Sequence, residues 1–514
     1  MNSFINSTIL AAGTLAVALP VGVVLALLIT RCDVPGRRLA IVCLGVLLFL
    51  PLYVQLSAWD AALGKLGWLT LAHGSLAEPF LNGMRGAIFV HGIAAVPWVA
   101  LVVGIGLRQI DPAQEEAALL VAAPRIVLWR ITLPQTLPFI AAAALWTIIG
   151  TIAEMTVTNI YLINPSEWTL TERFYMSWSL NLSPVSRFDL ILALVGLSLA
   201  SAAGLWVVSR SIRNVTESPI PLNRRLHASG SLVATICLWF ILAFLLAVPI
   251  ANLISKAGFV VIHDGTKRVA SWSAAKCVAE VAAAPGRYSR EICGTLITAV
   301  CAATLAICVA AALAWLARRG GGRAVLALSL TILLLCIPGP LVGIALIGLF
   351  NHDIPPRIVI ADGDIKSWLL VLYDNTPLAP ILAQAIRALP LTIMLLCYSF
   401  ATLNRDVLAA AALDGLSPWR VFWKIAAPQR WPAITSAWIM AFAIAAGDLA
   451  WCHLVTPPGL DLLSRRAFGL VHSGVEEQVA AISLVVVLSY AVLACSALWL
   501  LNRQQGASVR PRRR

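Results

Sequence analysis

The sequence predicts an all-α polytopic membrane protein with about 11 transmembrane helices in two parallel pseudo-twofold repeats. Two observations favour this fold class. First, 60% of the 514 residues are hydrophobic and only 12% are charged, about half the charged fraction of a soluble protein. Second, apolar runs of roughly 20 residues alternate with short polar joints, as in proteins with several membrane-spanning helices. The net charge of +13 lies mostly in the joints and the C-terminal tail, so we expect it to set orientation in the lipid bilayer and expect no nucleic-acid partner.

The first repeat is predicted at residues 1–209, with helices 1–5 at about 8–30, 39–56, 86–107, 139–163 and 190–208. Helix 1 follows an uncharged segment and precedes Arg31 and Arg37. Because short cytoplasmic joints collect Lys and Arg, the N-terminus is expected outside. Helix 1 has no basic segment before it, so we do not expect a cleaved signal peptide. A cytoplasmic linker, rich in arginine and proline, is predicted at 210–229.

The second repeat is predicted at residues 230–514, with helices 6–11 at about 231–254, 295–317, 325–350, 379–403, 433–455 and 480–501. The external loop at 255–291 contains several Lys and Arg residues, but long loops cross the membrane largely regardless of charge. Helix 7 ends at Arg318 and Arg319, and a basic tail follows helix 11. We therefore expect the C-terminus in the cytoplasm.

The 11 cysteines lie mainly in apolar runs, where they are expected to pack as small apolar residues. Cys277 and Cys293 lie in or beside the long loop at 255–291, so a disulfide between them is an open alternative if that loop faces an oxidising compartment. The sequence has no CxxC pair and no Cys/His cluster, and His91 and His453 stand singly. No metal site is expected.

One segment of the chain occurs twice. The first stretch, residues 115–138, and the second stretch, residues 409–432, match at a constant spacing of 294 residues in Pro124/Pro418, Trp129/Trp423, Arg130/Lys424, Ile131/Ile425, Pro134/Pro428 and Pro138/Pro432. The duplication extends further, because Thr8, Arg31 and Pro51 match Thr295, Arg318 and Pro338 at a spacing of 287. Equivalent helices are six apart, so the two copies have the same orientation and form a parallel repeat.

Each stretch is expected to form a helix, a turn and a short second helix on the cytoplasmic side. The ten residue steps from Pro124 to Pro134 would span about 15 Å of helix, and we expect that helix to stop at the second proline. In the second copy, Ser417 is a candidate N-cap with Pro418 at the first helical position. Such a helix cannot bury its tryptophan alone, so it lies either at the lipid surface or in a groove of a partner.

The pattern is similar to the EAA loop of binding-protein-dependent ABC importer permeases, which runs Glu-Ala-Ala, then Gly, then Ile-x-Leu-Pro. Two such loops in one chain resemble the fused permeases of the ferric-iron type, with the thiamine permeases a close relation. The resemblance implies a transmembrane permease of the bacterial cytoplasmic (inner) membrane. It also implies two copies of a cytoplasmic ABC ATPase, each receiving one loop in a cleft, and an extracytoplasmic substrate-binding protein.

The resemblance assigns ATPase coupling to two groups of residues. In the first stretch they are Glu115, Glu116, Ala117, Val121, Pro124, Trp129, Arg130 and Pro134. In the second stretch they are Ala409, Asp414, Gly415, Pro418, Trp423, Lys424 and Pro428. Each copy departs from the pattern at one position, because Val121 occupies the Gly place and Ala409 the Glu place. The two ATPase contacts need not be equivalent.

Two acids lie within predicted helices at the same spacing of 294 residues, Glu154 in helix 4 and Asp448 in helix 10. A carboxylate in an apolar helix is costly and usually faces a bundle interior or a water path. Two interpretations remain open. Each acid is either a pathway or gate residue near the pseudo-twofold axis, or a structural residue that makes a helix-packing hydrogen bond or lies near the outer interface. Pro97 and Pro390, in helices 3 and 9, are expected to kink their helices.

The sequence has no phosphate-binding GxxxxGK[ST] motif and no catalytic constellation, so the chain is not expected to be an enzyme. ATP and Mg²⁺ are expected on the partner ATPase, and no cofactor in this chain. From the two-in-one layout we expect iron transport, with ferric iron as the solute. Thiamine, phosphonates, polyamines and sulfate remain alternatives, as does a different class, a secondary transporter with parallel repeats.

Overall fold

The computed structural model describes residues 2–65, 67–72, 78–180, 184–215, 232–264, 267–352, 357–359 and 365–509, and most of them lie in helices. The predicted linker at 210–229 lies mainly outside the described residues, as does the end of the basic tail. The described chain falls into two compact units, one of residues 1–285 with 467–487 and one of 286–466 with 488–514. The predicted repeat boundaries at 209 and 230 stay a prediction.

Residues before 288 form fourteen described helices, two π-helical turns and one antiparallel hairpin of strands β1 and β2. The helices are α1 Asn2–Arg31, α2 Arg37–Phe49, α3 Leu52–Leu63, α4 Trp68–Ala72, α5 Gly83–Gln109, α6 Pro112–Leu119, α7 Pro124–Val127, α8 Leu133–Ala153, α9 Thr156–Tyr161, α10 Leu170–Ser179, α11 Pro184–Val215, α12 Leu232–Leu242, α13 Val248–Ala257 and α14 Ala274–Arg287. The π-helical turns are Leu128–Thr132 and Ala243–Ala247, and the strands are β1 Phe259–Asp264 and β2 Lys267–Trp272.

The remainder of the described chain has ten helices, a third π-helical turn at Phe422–Ala426 and a short hairpin of β3 Arg357–Val359 with β4 Ile365–Ser367. The helices are α15 Ser289–Ala317, α16 Gly321–Cys336, α17 Gly339–Phe350, α18 Trp368–Asn375, α19 Leu378–Ala401, α20 Arg405–Leu413, α21 Pro418–Val421, α22 Ala427–Ala446, α23 Leu463–His472 and α24 Glu476–Val509.

The helices confirm an all-α polytopic membrane protein. Among the described residues, eight helices are long and apolar enough to cross a membrane, and two bent helix pairs raise the number of spans to ten if each pair counts once. Helix α22 corresponds to predicted helix 10 and is not among these candidates. Gln429 and Arg430 in its first turns lower its mean hydropathy.

Predicted helices 2 and 8 are not continuous, which corrects the sequence prediction. The chain bends by 100° between α2 and the helix that begins at Leu52, and by 99° between α16 and α17. The breaks fall at Pro51 and Pro338, the matched prolines, and each proline precedes the first residue of the second helix. The residue before each proline, Leu50 or Ile337, is extended, because a following proline disfavours helical backbone.

The same packing order occurs within each unit. In the first unit α1 packs against α5 and α8, and in the second α15 packs against α19 and α22. Small residues allow these close approaches. A Cβ at Gly22 of α1 would lie 2.5 Å from Val99 Cβ of α5. On α15 the buried face is built of alanines: Ala299, Ala302, Ala303, Ala306, Ala310 and Ala314.

The predicted external loop at 255–291 is mostly ordered secondary structure, with the β1–β2 hairpin followed by α14. Lys276 of α14 donates from Nζ to the carbonyl of Phe259 at 2.6 Å and lies 2.6 Å from a carboxylate oxygen of Glu477. These contacts hold α14 against the hairpin and the start of α24. Cys277 and Cys293 are both free thiols, so the structure contains no disulfide between them.

Candidate functional site

Both duplicated stretches form a short helix that enters a long one through a π-helical turn. Helix α6 begins after Asp111, whose carboxylate accepts the amide hydrogen of Ala113 at 2.9 Å, and α20 begins after Asn404, which caps in the same way. In the second stretch the Ser417 hydroxyl accepts from the Arg420 amide and Pro418 takes the first helical position. This confirms the predicted cap.

The predicted stop at the second proline of each stretch is wrong. The π-helical turns Leu128–Thr132 and Phe422–Ala426 connect the short helices to α8 and α22 without interruption, and Pro134 and Pro428 lie in the first turn of those helices. A proline lacks an amide hydrogen and clashes with the carbonyl four residues earlier. The wider π-helical turn changes the hydrogen-bond register just before each proline, so the helix continues.

Large apolar side chains project from both stretches. Val121 is 88% exposed and Leu413 is 89% exposed, and Leu120, Trp129, Trp419 and Trp423 are also mostly exposed. Predicted coupling residues are also exposed in each stretch: Glu116, Ala117, Pro124, Arg130 and Pro134 in the first, and Ala409, Asp414, Gly415, Pro418, Lys424 and Pro428 in the second. Several large apolar side chains exposed within one short segment indicate a surface that binds a partner or a membrane.

Glu115 is the exception, because the structure places it inside the first unit. Its side chain is 3% exposed. Oε2 lies 2.8 Å from Nη1 of Arg31, at the end of α1, and Oε1 accepts from the Thr132 hydroxyl at 2.7 Å. The Arg31 guanidinium also donates to the carbonyl of Leu107, near the end of α5, at 2.7 Å. Sequence reasoning did not find Arg31 as a partner, although its position at a helix end was visible.

In the second unit, aromatic side chains pack at the place that the Arg31–Glu115 pair occupies in the first unit. Arg318, which matches Arg31, lies with its guanidinium 3.2 Å from the centre of the Trp315 ring. Burial, and then the nearby Arg319 and Arg323, lower the pKa of Arg318 to about 10. The Trp315 ring contacts Phe400 and Phe422 at centroid distances of 5.9 and 5.3 Å.

The turns of the two stretches differ in backbone conformation, as expected from Val121 in the first stretch and Gly415 at the equivalent position of the second. Gly415 has φ of +71°, a conformation that glycine adopts without strain. Its amide donates to the carbonyl of Ala412 and the Leu416 amide donates to the carbonyl of Ala411, which are the paired bonds of a Schellman motif. The first stretch instead ends α6 with bonds from Val121 and Ala122 to Ala118. Gly is therefore needed in the second turn only.

Glu154 lies where α8 ends, not within a continuous helix. Predicted helix 4 was expected to reach residue 163, but α8 ends at Ala153 and α9 begins at Thr156. One carboxylate oxygen of Glu154 accepts from the amides of Met155 and Thr156 and from the Thr156 hydroxyl, at 3.2, 3.0 and 2.5 Å. The carboxylate satisfies amides that a helix start leaves without partners, so Glu154 caps α9.

Asp448 has a similar place in the second unit and a charged partner. It follows α22, which ends at Ala446 and not at the predicted residue 455. The side chain is 0% exposed, with Oδ1 2.6 Å from Nη1 of Arg387 and Oδ2 accepting from the Cys452 amide at 3.0 Å. Sequence reasoning missed Arg387, although an arginine inside a predicted membrane helix is itself a signal of a partner.

A third buried acid, Glu172 of α10, was also missed. Its two carboxylate oxygens accept from the Thr158 hydroxyl at 2.9 Å and the Asn159 amide group at 2.7 Å. Burial raises the pKa of Glu172 to about 7, and the two hydrogen bonds oppose that rise.

The described residues contain no group of three or more His, Cys, Asp or Glu side chains that could hold a metal ion. His91 is buried in α5. The groups that the sequence and structure bring forward are thus two exposed stretches, the capping carboxylate of Glu154 and the ion-paired carboxylate of Asp448.

Comparison with known proteins supports an ABC importer permease. Residues 323–505, which include the second stretch, match the family described as binding-protein-dependent transport system inner membrane component. The chain is 30% identical over 108 residues to the putrescine transport system permease protein PotI of Escherichia coli K12, covering 21% of this chain and 38% of that protein. It is 28% identical over 151 residues to the spermidine/putrescine transport system permease protein PotC of Haemophilus influenzae, covering 29% and 59%.

The molybdenum transport system permease protein ModB of Escherichia coli K12 is 28% identical over 149 residues, covering 29% of this chain and 65% of that protein. The chain thus spans less than two thirds of the length of each of these relatives. Their names describe permease components and no enzyme, in agreement with the expectation for this chain. They name polyamines and molybdenum, so they give the fused ferric-iron type no support. Together with the apolar helices, the family match indicates a multi-pass protein of the inner membrane.

Proposed function

We propose that the chain is the membrane permease subunit of an ATP-driven importer and that its two stretches bind separate cytoplasmic ATPase subunits. The observation that supports this most is the duplicated geometry of the stretches. Each has a capped helix, an exposed apolar turn and a short helix joined through a π-helical turn to a long helix. A displacement applied to the short helix therefore passes directly into α8 or α22, because the backbone is helical throughout.

The composition of the exposed surface favours a protein groove over a lipid surface. Exposed side chains of both signs lie in each stretch. In the first stretch Glu116 precedes Arg125 and Arg130, and in the second Asp414 precedes Arg420 and Lys424. A helix that lies on an anionic membrane carries mainly Lys and Arg on its polar face. A groove in a partner protein accepts both signs, with aromatic anchors such as Trp129 and Trp423 at the centre.

Co-purification with the ATPase tests this proposal. The chain would be expressed with a candidate ATPase that carries the Walker motif, encoded beside it, and purified in detergent. Trp129→Ala with Trp423→Ala should lower the ATPase recovered by about tenfold or more, since central aromatic anchors dominate interface energies. Trp499→Ala removes an exposed tryptophan of α24, outside both stretches, and is the matched control. Equal recovery with the wild type and the double variant would contradict the coupling assignment.

A charge reversal provides a second measurement on the same surface. Arg130→Glu with Lys424→Glu keeps long polar side chains at two exposed positions and inverts their charge. Association should weaken and its salt dependence should change, because charges at the rim of an interface act mainly on the association rate. Association that is unchanged between low and high salt would contradict this role.

The orientation of the stretches is part of the proposal. With an external N-terminus and a cytoplasmic C-terminus, both stretches and the ATPases lie in the cytoplasm, and a substrate-binding protein delivers solute from outside. Val121→Cys, placed in a background without the other exposed cysteines, should react with a membrane-impermeant thiol reagent only in inverted membrane vesicles. Reaction in intact cells with a permeabilised outer membrane would show that the first stretch lies outside, which contradicts the proposed topology.

Ferric iron is the proposed solute, on the resemblance of layout alone. The relatives are named for transport of putrescine, spermidine/putrescine and molybdenum, so polyamines and molybdate are second candidates. Uptake of radiolabelled ferric iron, putrescine and molybdate into proteoliposomes with the ATPase and binding protein would separate the three. Iron uptake at the background level, with ATP-dependent uptake of another solute, would replace the iron proposal and leave the permease assignment intact.

A secondary transporter is the second candidate class, favoured by the buried Arg387–Asp448 ion pair within the second unit. Buried charges inside the membrane often mark ion-coupled pathways. In proteoliposomes without the ATPase, an ion gradient alone would drive uptake if this were the function. The permease proposal expects no uptake under that condition, and uptake only with ATP inside the cytoplasmic compartment.

A further inference from the structure

The buried contacts of Glu115 connect four segments of the first unit. The Arg31–Glu115–Thr132 network comprises the Arg31 guanidinium at the end of α1, the Glu115 carboxylate of α6 and the Thr132 hydroxyl of the π-helical turn. Arg31 adds the carbonyl of Leu107, near the end of α5. Arg31, Glu115 and Thr132 are all buried. A charged pair removed from water keeps its geometry, since separating the partners would leave each charge without compensation.

The second copy retains the arginine and lacks both of its network partners. Arg318 matches Arg31, but Ala409 matches Glu115 and Ala426 matches Thr132. Ala409 is exposed, and Ala426 is buried in an apolar cluster with Trp315, Phe400 and Phe422. The second stretch is held by apolar and aromatic packing, which has no fixed donor–acceptor geometry, and by an exposed hydrogen bond from Arg430 Nη2 to the carbonyl of Thr402 at 2.5 Å.

We propose that Glu115 is a positioning residue that fixes the first stretch to α1 and α5, and that it makes no contact with the ATPase. The inference rests on the proposed function of the stretches. The first stretch moves as one body with the ends of α1 and α5, because directional buried bonds connect them. The second stretch transmits motion mainly through packing contacts that can slide, since its hydrogen bond from Arg430 to the Thr402 carbonyl is exposed to solvent and carries no buried charge pair. The two ATPase contacts therefore act on the pathway unequally.

The first test separates ATPase binding from coupling. Glu115→Ala reproduces the residue of the second copy, and two quantities are measured on the reconstituted transporter: the ATPase recovered on purification, and the solute moved per ATP hydrolysed. We expect recovery within about twofold of wild type and a loss of about tenfold in solute per ATP. Glu78→Ala, an exposed carboxylate outside both stretches, is the control and should change neither quantity.

A second variant reports on the network itself. Arg31→Met combined with Glu115→Met replaces both charges with apolar groups, and it should recover at least half of the lost solute per ATP, because an apolar pair tolerates burial. If Glu115 instead contacted the ATPase, changing Arg31 could not restore its function. ATPase recovery tenfold lower in Glu115→Ala, without rescue by the double variant, would overturn the proposal.

Thr132→Val keeps the inference testable if Glu115→Ala does not fold. It removes one hydrogen bond of the network and keeps a side chain of similar shape, so solute per ATP should fall by about two- to fivefold with the ATPase still bound. Unchanged solute per ATP in Thr132→Val would overturn the positioning role. If the wild-type chain itself failed to bind the ATPase, the proposed function would be wrong. No result with these variants could be mistaken for that outcome, because it is measured on the wild type.

Discussion

Replacing Asp448 by Asn should destabilise the second unit strongly, because it removes the buried carboxylate charge that pairs with the partly buried Arg387. Asp448 is fully buried, Arg387 Nη1 lies 2.6 Å away, and the Arg387 side chain is 29% exposed. Asn keeps the size of the side chain and one acceptor oxygen, so the change isolates the charge. Removing one partner of a buried pair costs about 3–5 kcal/mol. The partial exposure of Arg387 places the expected loss at the lower end, about 3 kcal/mol.

The free energy of unfolding would be measured in detergent micelles by titration with sodium dodecyl sulfate, followed by tryptophan fluorescence. A loss of about 3 kcal/mol corresponds to roughly a 100-fold change in the unfolding constant. Adding Arg387→Met should recover most of the loss, since the unpaired charge disappears with it. Glu154→Gln is the comparison, because Glu154 is only partly buried and caps α9 through backbone amides; it should cost about 1 kcal/mol.

The reasoning would be refuted by either of two results. Asp448→Asn could lie within about 0.5 kcal/mol of the wild type, the range of ordinary surface substitutions. Alternatively, the losses from Asp448→Asn and Arg387→Met could simply add, which would mean that the two side chains do not stabilise each other.

Three further predictions concern backbone, packing and pH. Gly415→Val should cost about 1–2 kcal/mol because residue 415 has φ of +71°. The matched control Gly348→Val, in a helix with open space around the position, should change the unfolding free energy by less than about 0.5 kcal/mol. Gly22→Ala should cost about 1–3 kcal/mol, because the new Cβ would lie 2.5 Å from the Cβ of Val99 and would push α1 away from α5. An unchanged unfolding free energy would show that the two helices separate freely. The raised pKa of Glu172, about 7 against an ordinary 4.5, means that the folded state binds a proton more tightly than the unfolded state. The unfolding free energy should therefore fall by about 3 kcal/mol as pH rises from 4.5 to 7 and then level off; a wild-type pH dependence equal to that of Glu172→Gln would contradict this.

The sequence alone determined the membrane class, the approximate position of most predicted helices and the duplicated stretches. These features are local or periodic, because apolar runs, arginine-rich ends and proline spacing require no knowledge of distant contacts. The cap at Ser417 and the turn at Gly415 belong to the same group. Each depends on the conformation of a few consecutive residues.

Only the tertiary structure decided where the helices break and which charges are paired. A hydropathy pattern continues smoothly across Leu50 and Ile337, so it cannot show a bend of about 100°. Proline signals an interruption, but whether the chain bends, as at Pro51, or continues, as at Pro134, depends on the neighbouring turn. A π-helical turn has no local sequence signature strong enough to predict it.

Glu115 illustrates the same limit at the candidate site. Its sequence neighbours Glu116 and Ala117 are exposed, whereas Glu115 is buried against Arg31, which lies 84 positions earlier in the chain. The local pattern identifies a helix with a carboxylate, but the packing of α1, α5 and α6 selects the side that faces inward. The energy of a buried ion pair depends on which distant helix end supplies the opposite charge, and that is fixed by tertiary structure.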